Sequence, residues 1–280
     1  MKKWFVLFLA GLLLVSLVII SCDDDDPLIF NDGPEYLVLG EVLMRPYVEV
    51  LGNIHPIYGQ ECDIDSIKFG DSLCTIAKSP YYVDGGNYNY SFSYRNQADS
   101  QRFSSGDVAP LRFYRGSEIT TAFVKLLKLP GDSTNIVSPD YNESFAISAD
   151  VPLVWSKIAS ADWYSVTYIY DTSNAFDAGV TYHYEYTTDT TFTIPTADHP
   201  TNGEYYIYIH AITGPLPGAT GNIDSESITG SFYGTNIPGV SYGLRVIIGS
   251  GIPDVTVAQA KRFESVPKTL VEKFISDMNR

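Results

Sequence analysis

Along residues 87–94 the side chains alternate with a period of two. Tyr88, Tyr90, Phe92 and Tyr94 fall on one side, and Asn89, Ser91 and Ser93 on the other. Only an extended strand sends successive residues to opposite faces, so this stretch is dictated to be a half-buried β-strand. Residues 36–43 read as another strand, ended or turned into an edge by Pro46, which has no N–H for a ladder. Residues 66–69 and 73–77 flank the turn Gly70-Asp71, and residues 111–114 and 122–129 complete a set of about seven short strands. With 21 Tyr, 22 Gly and only 18% charged residues, the composition also favours strands and turns over helices. Residues 35–130 are therefore expected to form an N-terminal β-sandwich.

A polar stretch beginning Pro130-Gly131-Asp132-Ser133 reads as a linker over 131–142. Beyond it come Leu153-Val154-Trp155, then Trp163-Tyr164-Ser165-Val166-Thr167-Tyr168. Thr191-Phe192-Thr193-Ile194-Pro195 follows, and then Gly203-Glu204-Tyr205-Tyr206-Ile207-Tyr208-Ile209-His210-Ala211. In order and spacing, residues 145–211 resemble a fibronectin type III domain. The resemblance implies a core tryptophan on an early strand, a Tyr-x-Val strand, a strand ending in Pro and a Gly-x-Tyr strand ending near Ala. The pattern departs at its end, where 213–229 is a long Gly-, Pro- and Ser-rich insert, either a binding loop or a disordered segment. The closing strand is then either 228–233 or 242–248. The expected fold class is all-β: two tandem immunoglobulin-like or fibronectin III-like sandwiches, 35–130 and 143–250. An N-terminal signal helix precedes them and a helical tail, 251–280, follows. In that tail Leu270, Val271, Phe274, Ile275 and Met278 recur at helical spacing after Pro267, an amphipathic helix that must pack on the protein itself or on a partner.

The N-terminus bears on location. Lys2 and Lys3 precede an apolar run over 4–20, near the boundary between a signal peptide and a spanning helix. The run ends Ile19-Ile20-Ser21-Cys22, which resembles the bacterial lipobox. The resemblance implies a signal peptide over 1–21, cleavage before Cys22, and a diacylglyceryl thioether with an N-acyl chain (palmitate, for example) on that cysteine. Several acyl chains anchor far more firmly than one, since each buried CH₂ contributes about 0.8 kcal/mol. Asp23 to Asp26 repel each other and stay hydrated, so 22–34 reads as an acidic tether. A cysteine followed by acids also resembles the export signal of Bacteroidetes surface lipoproteins, whereas in enterobacteria Asp there resembles an inner-membrane retention signal. Either implies an extracytoplasmic protein, and the outer membrane or its outer face is the expected site. The formal charge is −15, and about −17 once Lys2 and Lys3 are removed. That excludes nucleic acid as a partner and leaves the acyl chains, not net charge, to hold the membrane.

No cofactor, metal site or catalytic centre is expected. His55, His183, His199 and His210 show no metal-ligand spacing, and no Gly-x-Ser-x-Gly or His-Glu-x-x-His occurs. Asp63, Asp65 and Asp71 lack the pattern of a calcium loop. Cys62 and Cys74 remain after Cys22, and in an oxidising compartment they either pair or stay as buried thiols. The most suggestive feature is aromatic. If the alternates Tyr205, Ile207, Ile209 and Ala211 face the core, then Tyr206, Tyr208 and His210 face outward. Tyr182, Tyr184 and Tyr186 share a face of the preceding strand. An exposed aromatic face suits a protein interface or a sugar, although tyrosines also stabilise sheets with no partner at all. The expected function is a non-catalytic envelope lipoprotein acting as an interaction or scaffold module. A carbohydrate-binding lipoprotein feeding a transporter is the alternative, and a hydrolase a second one.

Overall fold

The computed structural model describes residues 33–44, 47–58, 61–83, 87–128, 134–172, 180–236 and 243–250. The expected signal peptide, Cys22 with most of its tether, and the C-terminal helix lie outside the described residues. The described chain is all-β, with two short 3₁₀ turns, and its strands enclose two apolar cores.

The first core lies between two sheets. The strands of this half are β1 (Tyr36–Met44), β2 (Val48–Pro56), β3 (Ser66–Phe69), β4 (Ser72–Leu73), β5 (Thr75–Val83), β6 (Asn87–Asn96), β7 (Val108–Arg115) and β8 (Glu118–Lys125). β1, β2, β6 and β5 pair antiparallel in one sheet, and β4, β3, β7 and β8 form the other. Alternation does the sorting: Val38 and Val42, Val50 and Ile54, Ile67 and Phe69, and Leu111 and Phe113 all point inward and are buried. Phe92 meets Phe113 edge-on, with centroids 5.9 Å apart. Its ring lies against Gly52, where a Cβ would come within 2.1 Å of ring carbon Cζ, so only glycine leaves room. Cys74 is buried in this core, Cys62 packs on its margin, and both are free thiols. Burial pushes Cys74 up to about 11, which keeps it protonated and unreactive.

The second half holds β9 (Ile136–Ser138), β10 (Glu143–Phe145), β11 (Val151–Trp155), β12 (Trp163–Asp171), β13 (Val180–Thr187), β14 (Thr191–Ile194), β15 (Gly203–Thr213), β16 (Ile223–Asp224), β17 (Ile228–Thr235) and β18 (Leu244–Ile248). Part of the expected linker is therefore structured: Ile136–Ser138 pairs with β11 as an edge strand. The sheet β9-β11-β14 faces β13-β12-β15-β18 across the second core. This connectivity is the sandwich that the fibronectin type III resemblance implies. Trp155 is buried and meets Tyr164 edge-on at 5.5 Å. Of the two candidate closing strands, 244–248 pairs with β15 and completes the sheet.

The other candidate, β17, does something the sequence reading did not foresee. It crosses out of the second half and runs parallel to β1, from Tyr36↔Ile228 to Leu43↔Thr235. Its far end also pairs with β15 through Ile212↔Thr235 and Thr213↔Gly234. Alternation then splits its side chains: Ile228 and Phe232 enter the first core, while Tyr233 packs with Trp163 and Ile212. The preceding insert is tied down as well, with β16 paired to β17 and Ile223 fully buried in the first core. The expected boundary of a self-contained second sandwich over 143–250 is corrected accordingly, because one continuous sheet runs through both halves. Gly230 makes the crossing possible. Its φ is +149°, and a Cβ there would sit 1.8 Å from the Val38 carbonyl oxygen.

A cooperative splice has a direct test. Truncating Phe232 to Ala should cost about 3–5 kcal/mol. The shift should appear in urea denaturation followed by tryptophan fluorescence, although Phe232 lies in the first core, Trp155 in the second and Trp163 in the small cluster beside β17. An unchanged tryptophan transition would mean that the two halves unfold independently.

Candidate functional site

β12 lies between β13 and β15, and the registers align three rows across these strands. The rows are Tyr182–Ile169–Tyr206, Tyr184–Thr167–Tyr208 and Tyr186–Ser165–His210. The intervening residues Tyr164, Val166, Tyr168, Tyr205, Ile207 and Ile209 fill the second core, so these rows share the opposite face of the sheet. All six aromatic residues singled out from the sequence are brought onto one face.

Their exposure is not what the alternation implied. Tyr182 is 45% exposed and Tyr206 only 4%, while Tyr184, Tyr186, Tyr208 and His210 are half-buried. The outward display expected of Tyr206 is corrected. β12 is buried on both of its faces, including Ser165, Thr167, Ile169 and Asp171. Tyr206 is also held by charged neighbours. Its hydroxyl donates to Glu204 Oε1 at 2.7 Å, while Arg245 Nε donates to Glu204 Oε2 at 2.6 Å and Arg245 Nη1 to Asn142 Oδ1 at 3.0 Å. A buried pair of this kind is costly to break: removal of one partner destabilises by about 3–5 kcal/mol. Glu204 was visible in the sequence two residues before Tyr206, hence on the same face. Arg245 was not, because its strand had no assigned neighbour.

Around this centre the other groups are also occupied. Trp163 packs edge-on against Tyr186 at 5.4 Å and donates from Nε1 to the Gly214 carbonyl at 3.0 Å. His210 Nδ1 lies 3.2 Å from the Asn236 carbonyl; a carbonyl only accepts, so Nδ1 carries the proton. Burial pushes His210 down to about 4. Burial also pushes the Tyr208 phenol up to about 12, and burial with the Glu204 carboxylate raises Tyr206 well above the ordinary phenol range. These hydroxyls are neutral hydrogen-bonding groups, not nucleophiles.

The inner side of the sandwich contains a second polar network. His199 is fully buried, donating from Nε2 to the Ala149 carbonyl at 3.0 Å, which leaves Nδ1 to accept from the Tyr205 hydroxyl at 3.1 Å. His183 stacks flat on Tyr168 at 4.6 Å, and the Tyr168 hydroxyl donates to Asp198 at 2.8 Å. In the first half, the carboxylates near Cys62 serve Arg115, which donates to Asp63 and to Glu35 at 2.8 Å each. Burial works against the Asp63 charge, but Arg115 and the Tyr36 hydroxyl outweigh it and hold the carboxyl below its ordinary value. Among the described residues, no group of three or more His, Cys, Asp or Glu side chains is disposed to hold a metal ion.

No known protein family matches the chain, and no curated protein does. Among solved structures, the chain is similar to the FN1–FN3 domains of chicken CNTN1. The two are 10% identical with a TM-score of 0.29, over 78% of this chain and 66% of that one. The chain thus spans just under two thirds of the structure it matches.

The half-buried His210 imidazole sets a pH dependence. His210 stays neutral in the fold down to about 4, against an ordinary value of 6.5, so between those values the unfolded chain binds the extra proton. Its contribution to stability is intact above about 6.5 and is lost progressively as pH falls towards about 4. Urea midpoints at about pH 7 and about pH 5 should differ less in His210→Gln than in the parent chain. Equal differences in both proteins would show that other groups set the acid limb.

Proposed function

We propose that the chain is a non-catalytic envelope lipoprotein, held to a bacterial membrane by lipid on Cys22, whose β frame serves as an interaction or scaffold module. The observation that carries this reading is the crossing strand β17. By pairing with β1 along its length and with β15 at its end, it makes one frame of two cores. A frame of that kind presents surfaces at fixed separation. The lipobox resemblance and the acidic tether supply the location, extracytoplasmic and at the outer membrane. The partner class that fits is another envelope protein. Intact-mass measurement of detergent-extracted chain should show cleavage before Cys22 and added acyl mass. Proximity crosslinking in intact cells should recover one dominant envelope protein, lost with Cys22→Ala. Unmodified full-length mass would overturn the lipoprotein reading, and recovery of no stable protein would overturn the scaffold reading.

The exposed ring of Tyr182, with Tyr184 and Tyr186 beyond it on β13, favours glycan capture as a second reading. A flat phenol suits the apolar face of a sugar and its hydroxyl the rim. Tyr182→Ala with Tyr184→Ala should abolish saturable binding in a glycan array. The variant pair belongs on β13, because truncating the buried Tyr206 would damage the fold instead. Undiminished binding in the pair would dispose of the reading.

A further inference from the structure

The outer face of the four-stranded sheet is built unlike the rest of this acidic chain. Along β3, β7 and β8 the inward residues are buried, so alternation turns Lys68, Val108, Arg112, Ile119 and Phe123 to the outside. Val108, Ile119 and Phe123 are exposed at 60%, 58% and 61%, and Leu73 on β4 joins them at 62%. Phe123 and Val108 are diagonal neighbours across the β7–β8 pairing, while Ile119 and Leu73 stand beyond Thr121, Arg112 and Lys68; exposed apolar side chains interleaved with cations on one sheet face mark a contact surface. Lys68 lies over the Tyr114 ring, and Arg112 braces the Gly70 carbonyl at 2.8 Å, so both cations sit within the face. Among the described residues, the outward positions of β3, β7 and β8 hold no carboxylate, in a chain whose formal charge is −15. The net charge therefore misrepresents this surface.

The route of the chain bears on what covers it. Glu35 is clamped by Arg115 at the end of β7, and its N–H donates to the Ser227 carbonyl at 2.8 Å. The N-terminal segment therefore joins the body beside the β7–β8 hairpin, at the Ile119 end of the face. From Cys22 to that point is at most roughly 47 Å of extended chain. A surface tethered so closely needs little affinity of its own, because attachment keeps its local concentration high.

We propose that this face lies on the membrane that holds the chain, with Phe123, Ile119, Val108 and Leu73 entering the headgroup boundary and Lys68 and Arg112 meeting lipid phosphates. The proposal rests on the lipoprotein reading for its tether. The arrangement follows the chemistry of interfacial anchors in which apolar side chains insert beside cations.

The full chain with its native N-terminus, reconstituted in vesicles of phosphatidylcholine and phosphatidylglycerol that carry an acyl-chain diazirine lipid, provides the test. Irradiation should label peptides covering 108–125 several-fold more than those bearing Val137 and Val154, which are exposed on the other sandwich. Phe123→Ser with Ile119→Ser should remove the excess without moving the denaturation midpoint, since both side chains are exposed. Lys68→Glu with Arg112→Glu should remove its dependence on phosphatidylglycerol. Equal labelling of the two sheets, or labelling indifferent to these variants, overturns the proposal, as it would if a protein covers the face instead. The intact mass of the same sample reports acylation of Cys22 separately. A chain without acyl groups is held on the same vesicles by a histidine tag at its N-terminus and a nickel-chelating lipid, so the face is tested even where the lipoprotein reading fails.

Discussion

Everything in this fold depends on β17 having two partners at once. Its ladder to β1 gives the first sheet a fifth strand, and its last two pairs reach β15 of the second sandwich. The two-residue side-chain period then distributes Phe232 and Tyr233 to different apolar clusters. The junction is finished with polar detail. Thr213 donates its hydroxyl to the Lys125 carbonyl, Asn236 accepts from the Ala211 N–H at 2.7 Å, and Lys125 reaches Asp162 at 2.9 Å. Leu126 and Leu127, neighbours in sequence, are buried in different cores. No flexible spacer separates the cores at that point. The continuity comes from hydrogen-bonded backbone, which is harder to bend than a hinge between independent domains.

Local pattern was legible and long-range partnership was not. The alternation at Asn87–Asn96 and the run from Leu153 to Ala211 led to strands that exist, and the fibronectin-like order of the second half is the order its sheets adopt. β2 went unassigned because Pro46 drew attention to the end of β1, although Val48, Val50 and Ile54 already alternate. The segment from Thr213 to Thr229 read as loop because Gly, Pro and Ser dominate it. What ties it down is Ile223 and the glycine that lets β17 approach Val38, and neither shows its partner in the sequence. A parallel pairing between segments so far apart leaves no periodic signature.

The aromatic rows show the same division more finely. Which face each of the five tyrosines and His210 occupies followed from counting residues by twos. Whether that face is open depended on Glu204 of β15, Arg245 of β18 and Asn142 in the turn before β10 meeting in space, a matter of register between elements. Sequence reasoning treated the outward face as solvent, as the fibronectin pattern invites. The buried ion pair beneath Tyr206 shows that both faces of this sheet carry structural weight, leaving β13 as the more accessible part of the tyrosine surface.

The parallel pairing of β1 with β17 also sets a timetable. Glu41 and Thr235, hydrogen-bonded partners, stand 194 residues apart, so their meeting closes a very long loop and makes a large contribution to contact order. A chain that emerges N-terminus first carries an unfinished sheet beside β1 until nearly all of it has appeared. During that interval the free edge is a template for wrong pairings between chains. A truncation before β17 would accordingly leave both cores incomplete, since β18, which closes the second, lies later still.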